Sequence, residues 1–276
     1  MPGFHVSRAL GLAAGALVTP LMFPLFLLRG ARLYHTTGVL HAAHAVPPSG
    51  VLPGPAADLA ARLAGPVLVR FSGGLFAKDE CRDSLGLGLR FYCQPLPTAA
   101  YSKGDQDVTL ITTRTFYPPK LLEAMKQTDG RDYLANTYHG VWPYQVAGFG
   151  KASLRITASG GGAAGKDRSE RLENAAHQGV ARLLLEVAPA GSDIYLPVAE
   201  LRLGARLSPE LAEAFRLRPG SAGRGLRPAG FWQGVRVVPY LASQYARKLA
   251  QSRKARPAML PEHAPSVPVL SLPDAA

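Results

Sequence analysis

The hydrophobic pattern changes character at about residue 36. Residues 9–28 form an uncharged apolar run of 20 residues between Arg8 and Arg29. That length matches the hydrocarbon core of a bilayer, although Pro20 and Pro24 interrupt a regular helix. Three readings stay open for it. It is a membrane anchor or membrane-surface segment, an arm packed on its own domain or on a second subunit, or a signal-peptide core with no clear cleavage site before Arg29. Beyond residue 36 the apolar runs shorten to strand length. Residues 38–46, 66–71, 85–93, 108–113, 152–157, 181–188 and 198–203 are such runs, separated by turn residues. Helices are predicted at 119–128 and at 208–216, the second with Ser208 as N-cap ahead of Pro209. Many short strands with few helices predict an α+β protein built on an antiparallel sheet or barrel.

Composition narrows the picture only a little. A hydrophobic content of 47% excludes a disordered chain. The 29 glycines and 24 prolines favour many turns over long helices. The net charge of +12 fits an acidic partner such as nucleic acid, anionic lipid or an acidic ligand. The cations are scattered, and their densest cluster is Arg247, Lys248, Arg253, Lys254 and Arg256. Such a cluster reads as a solvated face, and no nucleic-acid partner is expected. Cys81 and Cys93 lack any zinc-ligand spacing and read as inert core residues, with a disulfide between them left open. Residues 160–166 have the spacing of a phosphate-binding loop, but Asp167 stands where a Ser or Thr should hold magnesium. The stretch 159–171 therefore reads as a surface loop. Three regions follow: an apolar segment at 1–30, a main domain at 31–250, and a basic, Pro-rich tail at 251–276.

Four separated motifs carry the chemistry. They are Arg32-Leu-Tyr34-His35-Thr-Thr-Gly38, Val67-Leu-Val-Arg70-Phe71-Ser72, Arg82-Asp83-Ser-Leu-Gly86-Leu-Gly-Leu-Arg90-Phe91-Tyr92, and Arg236-Val-Val-Pro-Tyr240, with Gln244 and Arg247 following. In this order and at this spacing they resemble signatures of the catalase superfamily, over most of the chain. The resemblance implies a catalase-like antiparallel β-barrel with flanking helices, of reduced size, that binds heme (ferric heme b).

It further implies that Tyr240 ligates the iron as a phenolate, the catalase type of axial ligand. Arg236 then supplies the cation that keeps the phenol ionised, and Arg32, Arg70 and Arg247 meet the propionates, with Gln244 as a further partner. On the opposite side His35 is the acid–base residue, and Ser72 fixes its ring. The family keeps an asparagine where this chain reads Gly104-Asp105-Gln106-Asp107, so Gln106 or Asp107 is the nearest candidate, with Gln106 counted among the catalytic residues. Tyr34 stands where a small aliphatic residue is usual. These departures point away from rapid disproportionation of hydrogen peroxide. The expected function is a heme-dependent oxidoreductase acting on organic or lipid hydroperoxides, peroxidase-like or bond-rearranging. The alternative is a heme-binding protein without turnover, serving as sensor, store or carrier. A homo-oligomer and a membrane-associated or cytoplasmic location complete the expectations.

Overall fold

A computed structural model describes residues 3–29, 37–50, 54–74, 80–81, 83–95, 98–114, 118–140, 142–218 and 220–254. Helix α1 (Gly3–Arg29) precedes strand β1 (Gly38–Val46), and helix α2 (Pro55–Leu63) leads into β2 (Gly65–Ser72). β3 (Gly86–Phe91), β4 (Gln106–Ile111), α3 (Pro118–Gln127), β5 (Tyr138–His139), β6 (Tyr144–Val146) and β7 (Gly150–Ala158) follow. The chain ends in α4 (Arg168–His177), β8 (Arg182–Pro189), β9 (Leu196–Arg206), α5 (Pro209–Ala214), β10 (Leu226–Pro228) and α6 (Phe231–Lys254). All pairings between these strands are antiparallel. They run β1-β2-β3-β4-β5-β7-β8-β9 and back to β1, which closes an eight-stranded barrel. β6 and β10 extend it beside β7. The fold is thus the expected closed barrel with flanking helices.

The two-residue alternation of side chains along a strand explains which residues fill the barrel. Val67, Val69 and Phe71 of β2, Leu87, Leu89 and Phe91 of β3, and Val108 and Leu110 of β4 point inward. They meet Leu154 and Ile156 of β7 and Leu183, Leu185 and Val187 of β8 in one apolar cluster. Each such side chain contributes about 1.5–3 kcal/mol when fully buried. Leu59 and Leu63 of α2 and Leu172 and Ala175 of α4 join the same cluster. β1 and β2 are buried on the outer face as well. There Leu40, Ala42 and Leu68 lie under Leu211, Ala212 and Phe215 around α5, which Ser208 caps as predicted by accepting from Leu211 N.

Two segments depart from the sequence expectation. The stretch read as a surface loop turns into α4 at Arg168, because the Asp167 carboxylate accepts from Ser169 N and Glu170 N and forms the N-cap. The residue that spoils a phosphate loop is the one that starts a helix. The run 231–254, with Gly234 and Pro239 inside it, is one long helix. α1 is also continuous, with both prolines inside it, and packs alongside α6. Gly11 and Gly15 permit that approach. A Cβ on Gly11 would lie 2.0 Å from the Phe231 carbonyl oxygen, and one on Gly15 would lie 2.4 Å from that of Val235. Cys81 and Cys93 are both free thiols and neither is a core residue, since Cys81 is half-buried and Cys93 exposed.

Candidate functional site

The outer face of the first four strands presents a row set by pairing register. Leu40 of β1 pairs with Arg70 of β2, Arg70 with Gly88 of β3, and Gly88 with Thr109 of β4. Gly88 is the low point of the row, since a Cβ there would lie 2.4 Å from the Leu217 side chain. A second row joins Gly38, Ser72, Gly86 and Ile111. Gly38 has to lack a side chain, because a Cβ would come within 2.3 Å of the Phe71 carbonyl oxygen. The next row in the other direction holds Arg90 opposite Asp107. Their side chains form a fully buried bidentate pair at 2.7 and 2.8 Å.

That pair organises the segment lying over the sheet. Arg218 N donates to the Asp107 carboxylate at 2.6 Å, and Arg90 also donates to the Ala99 and Arg216 carbonyls. Burial pushes the Asp107 carboxyl up, and Arg90 pulls it back. Leu217 is held between these anchors, and its carbonyl accepts from Gln244 Nε2 at 2.8 Å.

α6 therefore has two distinct faces. A spacing of three or four residues places Gln233, Arg236, Tyr240, Gln244 and Arg247 on one side. Gly234, Val235, Val238, Leu241 and Tyr245 lie on the other, toward α1. The first face is turned onto the barrel. Both terminal nitrogens of Arg236 donate to Thr109 Oγ1 at 3.1 Å. The same guanidinium sits 5.9 Å from the centre of the Tyr240 ring, on a half-buried phenol. Beneath it, burial pushes the Tyr144 phenol up, against the Arg236 charge, the Thr109 backbone and Gln233.

Several expected site residues come together here: Arg236, Tyr240 and Gln244 on α6, with Arg70 in the facing sheet row. Arg70 is buried and lines a small polar cavity with Thr37, Gly38, Arg206 and Glu213. Ser72 is buried one row away and donates its hydroxyl to the Gly86 carbonyl at 3.2 Å. Arg32, Tyr34, His35 and Arg82 lie outside the described residues, as does the side chain of Arg247.

Gln106 is a correction. Its parity is that of Val108 and Leu110, which point into the barrel, and not that of Thr109. Its amide nitrogen donates to the Asp107 and Ser221 oxygens, and its amide oxygen accepts from Gly223 N. The amide ties β4 to the 221–223 turn. Thr109, Tyr144 and Leu217 belong to the face but went unnoticed in the sequence. Thr109 could have been found from the two-residue parity of β4, whereas Leu217 carries no local signal.

The residues fit the carboxylate end of an anionic cofactor in two respects. Arg70 and Arg236 flank Gly88 along the outer face. The Thr37 hydroxyl is buried at the Arg70 cavity with no hydrogen-bond partner among the described residues. That cavity measures about 240 Å³. This is below the ~300–1,000 Å³ of ordinary ligand pockets, and it suits a carboxylate rather than an entire porphyrin.

No protein-family profile matches this chain. No curated protein matches it either. Solved structures do match. A bacterial catalase superposes with a TM-score of 0.55 at 15% identity, over 89% of this chain and 63% of its own length. A fungal catalase superposes with a TM-score of 0.53 at 12% identity, over 79% of this chain and 59% of its own. The chain spans about three-fifths of these catalases, and the likeness is one of fold.

Proposed function

From this catalase-like fold we propose that the face between β2–β4 and α6 binds ferric heme b, with the Tyr240 phenolate as iron ligand. On this reading the protein is a heme-dependent oxidoreductase acting on organic hydroperoxides. One arrangement carries the proposal: Arg236, Tyr240 and Gln244 share the helix face turned onto the sheet row that holds Arg70. Bound there, heme supplies a ferric iron able to act on an O–O bond. The Arg236 guanidinium, 5.9 Å from the centre of the Tyr240 ring, would stand beside that ligand as a permanent cation. Arg70, together with Arg32 and Arg247, would meet the propionates, which are costly to bury unpaired. His35 would move a proton from one hydroperoxide oxygen to the other, a task suited to an imidazole near neutral pH. Ser72, which donates its hydroxyl to the Gly86 carbonyl, would fix the ring of that imidazole.

The alternative, heme binding without turnover, draws support from Gln106 and Asp107. Their polar groups are engaged with Ser221, Gly223 and Arg90, so neither offers a spare donor where catalases keep an asparagine. One experiment separates the readings. Purified protein is given hemin, its absorbance recorded, and its reaction with cumene hydroperoxide and hydrogen peroxide followed by stopped flow. The expected result is one high-spin ferric heme, lost in Tyr240→Phe. The organic hydroperoxide reaction should slow by roughly 10²–10⁴-fold in His35→Ala. Unchanged bands in Tyr240→Phe would remove the ligand assignment. Heme binding with no reaction toward either peroxide would leave the non-catalytic reading.

A further inference from the structure

α1 is covered on one side only. Gly11, Gly15 and Thr19 lie toward α6, while Val6, Leu10, Ala13, Leu17 and Leu21 recur at helical spacing on the opposite side. Leu17 is 79% exposed and Leu21 is 82% exposed. The same surface continues onto α6, where Trp232 is 58% exposed and Phe231, Leu241 and Tyr245 are also open. An apolar groove runs between the helices, bounded by Pro20, Phe23, Val238, Leu241, Ala242 and Tyr245. Isolated exposed leucines are ordinary, but a contiguous apolar face along a whole helix pair marks an interaction surface.

The ends of the pair indicate what covers it. The two helices run in parallel: Gly11 meets Phe231, Gly15 meets Val235, and Phe23 lies near Tyr245. Their C-terminal ends therefore coincide, and the helix residues at that end include Arg29, Lys248, Arg253 and Lys254. The other end carries Phe231 and Trp232, the latter stacked with Trp142 at 6.1 Å. An apolar face with tryptophan at one end and a cation cluster at the other is complementary to an anionic bilayer surface. A second copy of the chain would bring its own cations to this face, and neither helix carries an Asp or Glu to meet them.

We infer that the α1–α6 pair lies in the plane of an anionic membrane surface, with Leu10, Leu17, Leu21 and Trp232 embedded among the lipids. α1 is long and apolar enough, by length and composition, to cross a bilayer. It is instead laid along α6, and Arg236 and Gln244 hold α6 to the barrel and its overlying segment. A crossing helix would have to leave that partner, whereas a helix lying in the surface keeps it. The inference does not rest on heme binding.

The test is flotation of the full chain with vesicles of phosphatidylcholine alone and of phosphatidylcholine mixed equally with phosphatidylglycerol. The protein should float with the mixed vesicles, and tryptophan emission should shift to the blue. The Leu17→Glu, Leu21→Glu double variant should lose about tenfold or more in bound fraction. Its thermal unfolding should stay unchanged, because both side chains are already exposed. High salt should weaken binding, and alkaline carbonate should release the protein. Failure to float with either vesicle, or equal flotation of the double variant, would overturn the inference. So would carbonate resistance, which marks a crossing helix. A dimer in light scattering that the double variant dissociates would give the face to a second copy instead.

Discussion

Replacing Asp107 with Asn should destabilise the whole molecule, and the buried pair shows why. The Asp107 carboxylate accepts three hydrogen bonds, from Arg90 Nε, Arg90 Nη2 and Arg218 N, at 2.7, 2.8 and 2.6 Å. Both side chains of the pair are fully buried. An amide keeps the shape but removes the countercharge and turns an N–H toward the guanidinium. Arg90 is then a buried, uncompensated cation, a loss of about 3–5 kcal/mol. That is a large share of the ~5–15 kcal/mol that holds a typical domain together. For a chain of this size it corresponds to a fall in Tm of roughly 6–20 °C, at about 2–4 °C per kcal/mol.

The damage should also spread to α6. Arg90 and Asp107 hold the backbone of Arg216 and Arg218, and Leu217 between them accepts from Gln244. Hydrogen exchange at the Arg218 amide should accelerate. Urea unfolding of Asp107→Asn, and of the double variant Arg90→Met, Asp107→Leu, makes the comparison. The double variant should recover most of the loss, since an apolar pair of similar volume carries no desolvated charge. A loss below about 0.5 kcal/mol in the single variant, or a double variant weaker than the single one, would refute the reasoning.

Two further outcomes follow from geometry elsewhere. Burial, aided by Arg114 and Arg155, holds the His139 imidazole down to about 4. The folded state thus prefers the neutral ring, so its contribution is complete above about pH 7 and is lost as pH falls from ~6.5 to ~4. The full shift would be worth about 3 kcal/mol, and partial exposure reduces this to about 1–2 kcal/mol. Urea unfolding at pH 7.5 and 4.5 should show a smaller pH dependence in His139→Gln than in the parent, and equal slopes would exclude the histidine as the cause. In Gly11→Val, the new side chain would collide with the Phe231 carbonyl and force α1 off α6. Limited proteolysis should then cleave within α1 while the barrel keeps its unfolding temperature, and undiminished protection would refute the packing.

Much of the barrel was legible because a half-buried or fully buried strand writes its period into the residue order. The runs at 38–46 and 66–71 correspond closely to β1 and β2. Ser208 before Pro209 carried its own cap signal. The motif around Arg236 and Tyr240 was readable only through its resemblance to the catalase superfamily. β5, β6 and β10 were not legible, because strands of two or three residues leave no period to detect. α6 escaped notice because Gly234 and Pro239 are local helix breakers, and its stability comes from α1 on one side and the barrel on the other.

Gln106 shows the limit most clearly. Its place in the sequence suggested a group in the reactive pocket, but strand parity points it inward and the distant turn at 221–223 takes up its amide. The chain order determined which chemical groups the protein carries and roughly where its strands run, since those depend on neighbours a few residues apart. Only the tertiary structure decided that α6 turns Arg236 onto Thr109, that Asp107 pairs with Arg90, and that one face of α1 stays uncovered. The contacts of α6 with Thr109 and with α1 join residues more than a hundred positions apart, and the Asp107–Arg90 pair is set by the β3–β4 register and by the distant segment that buries it.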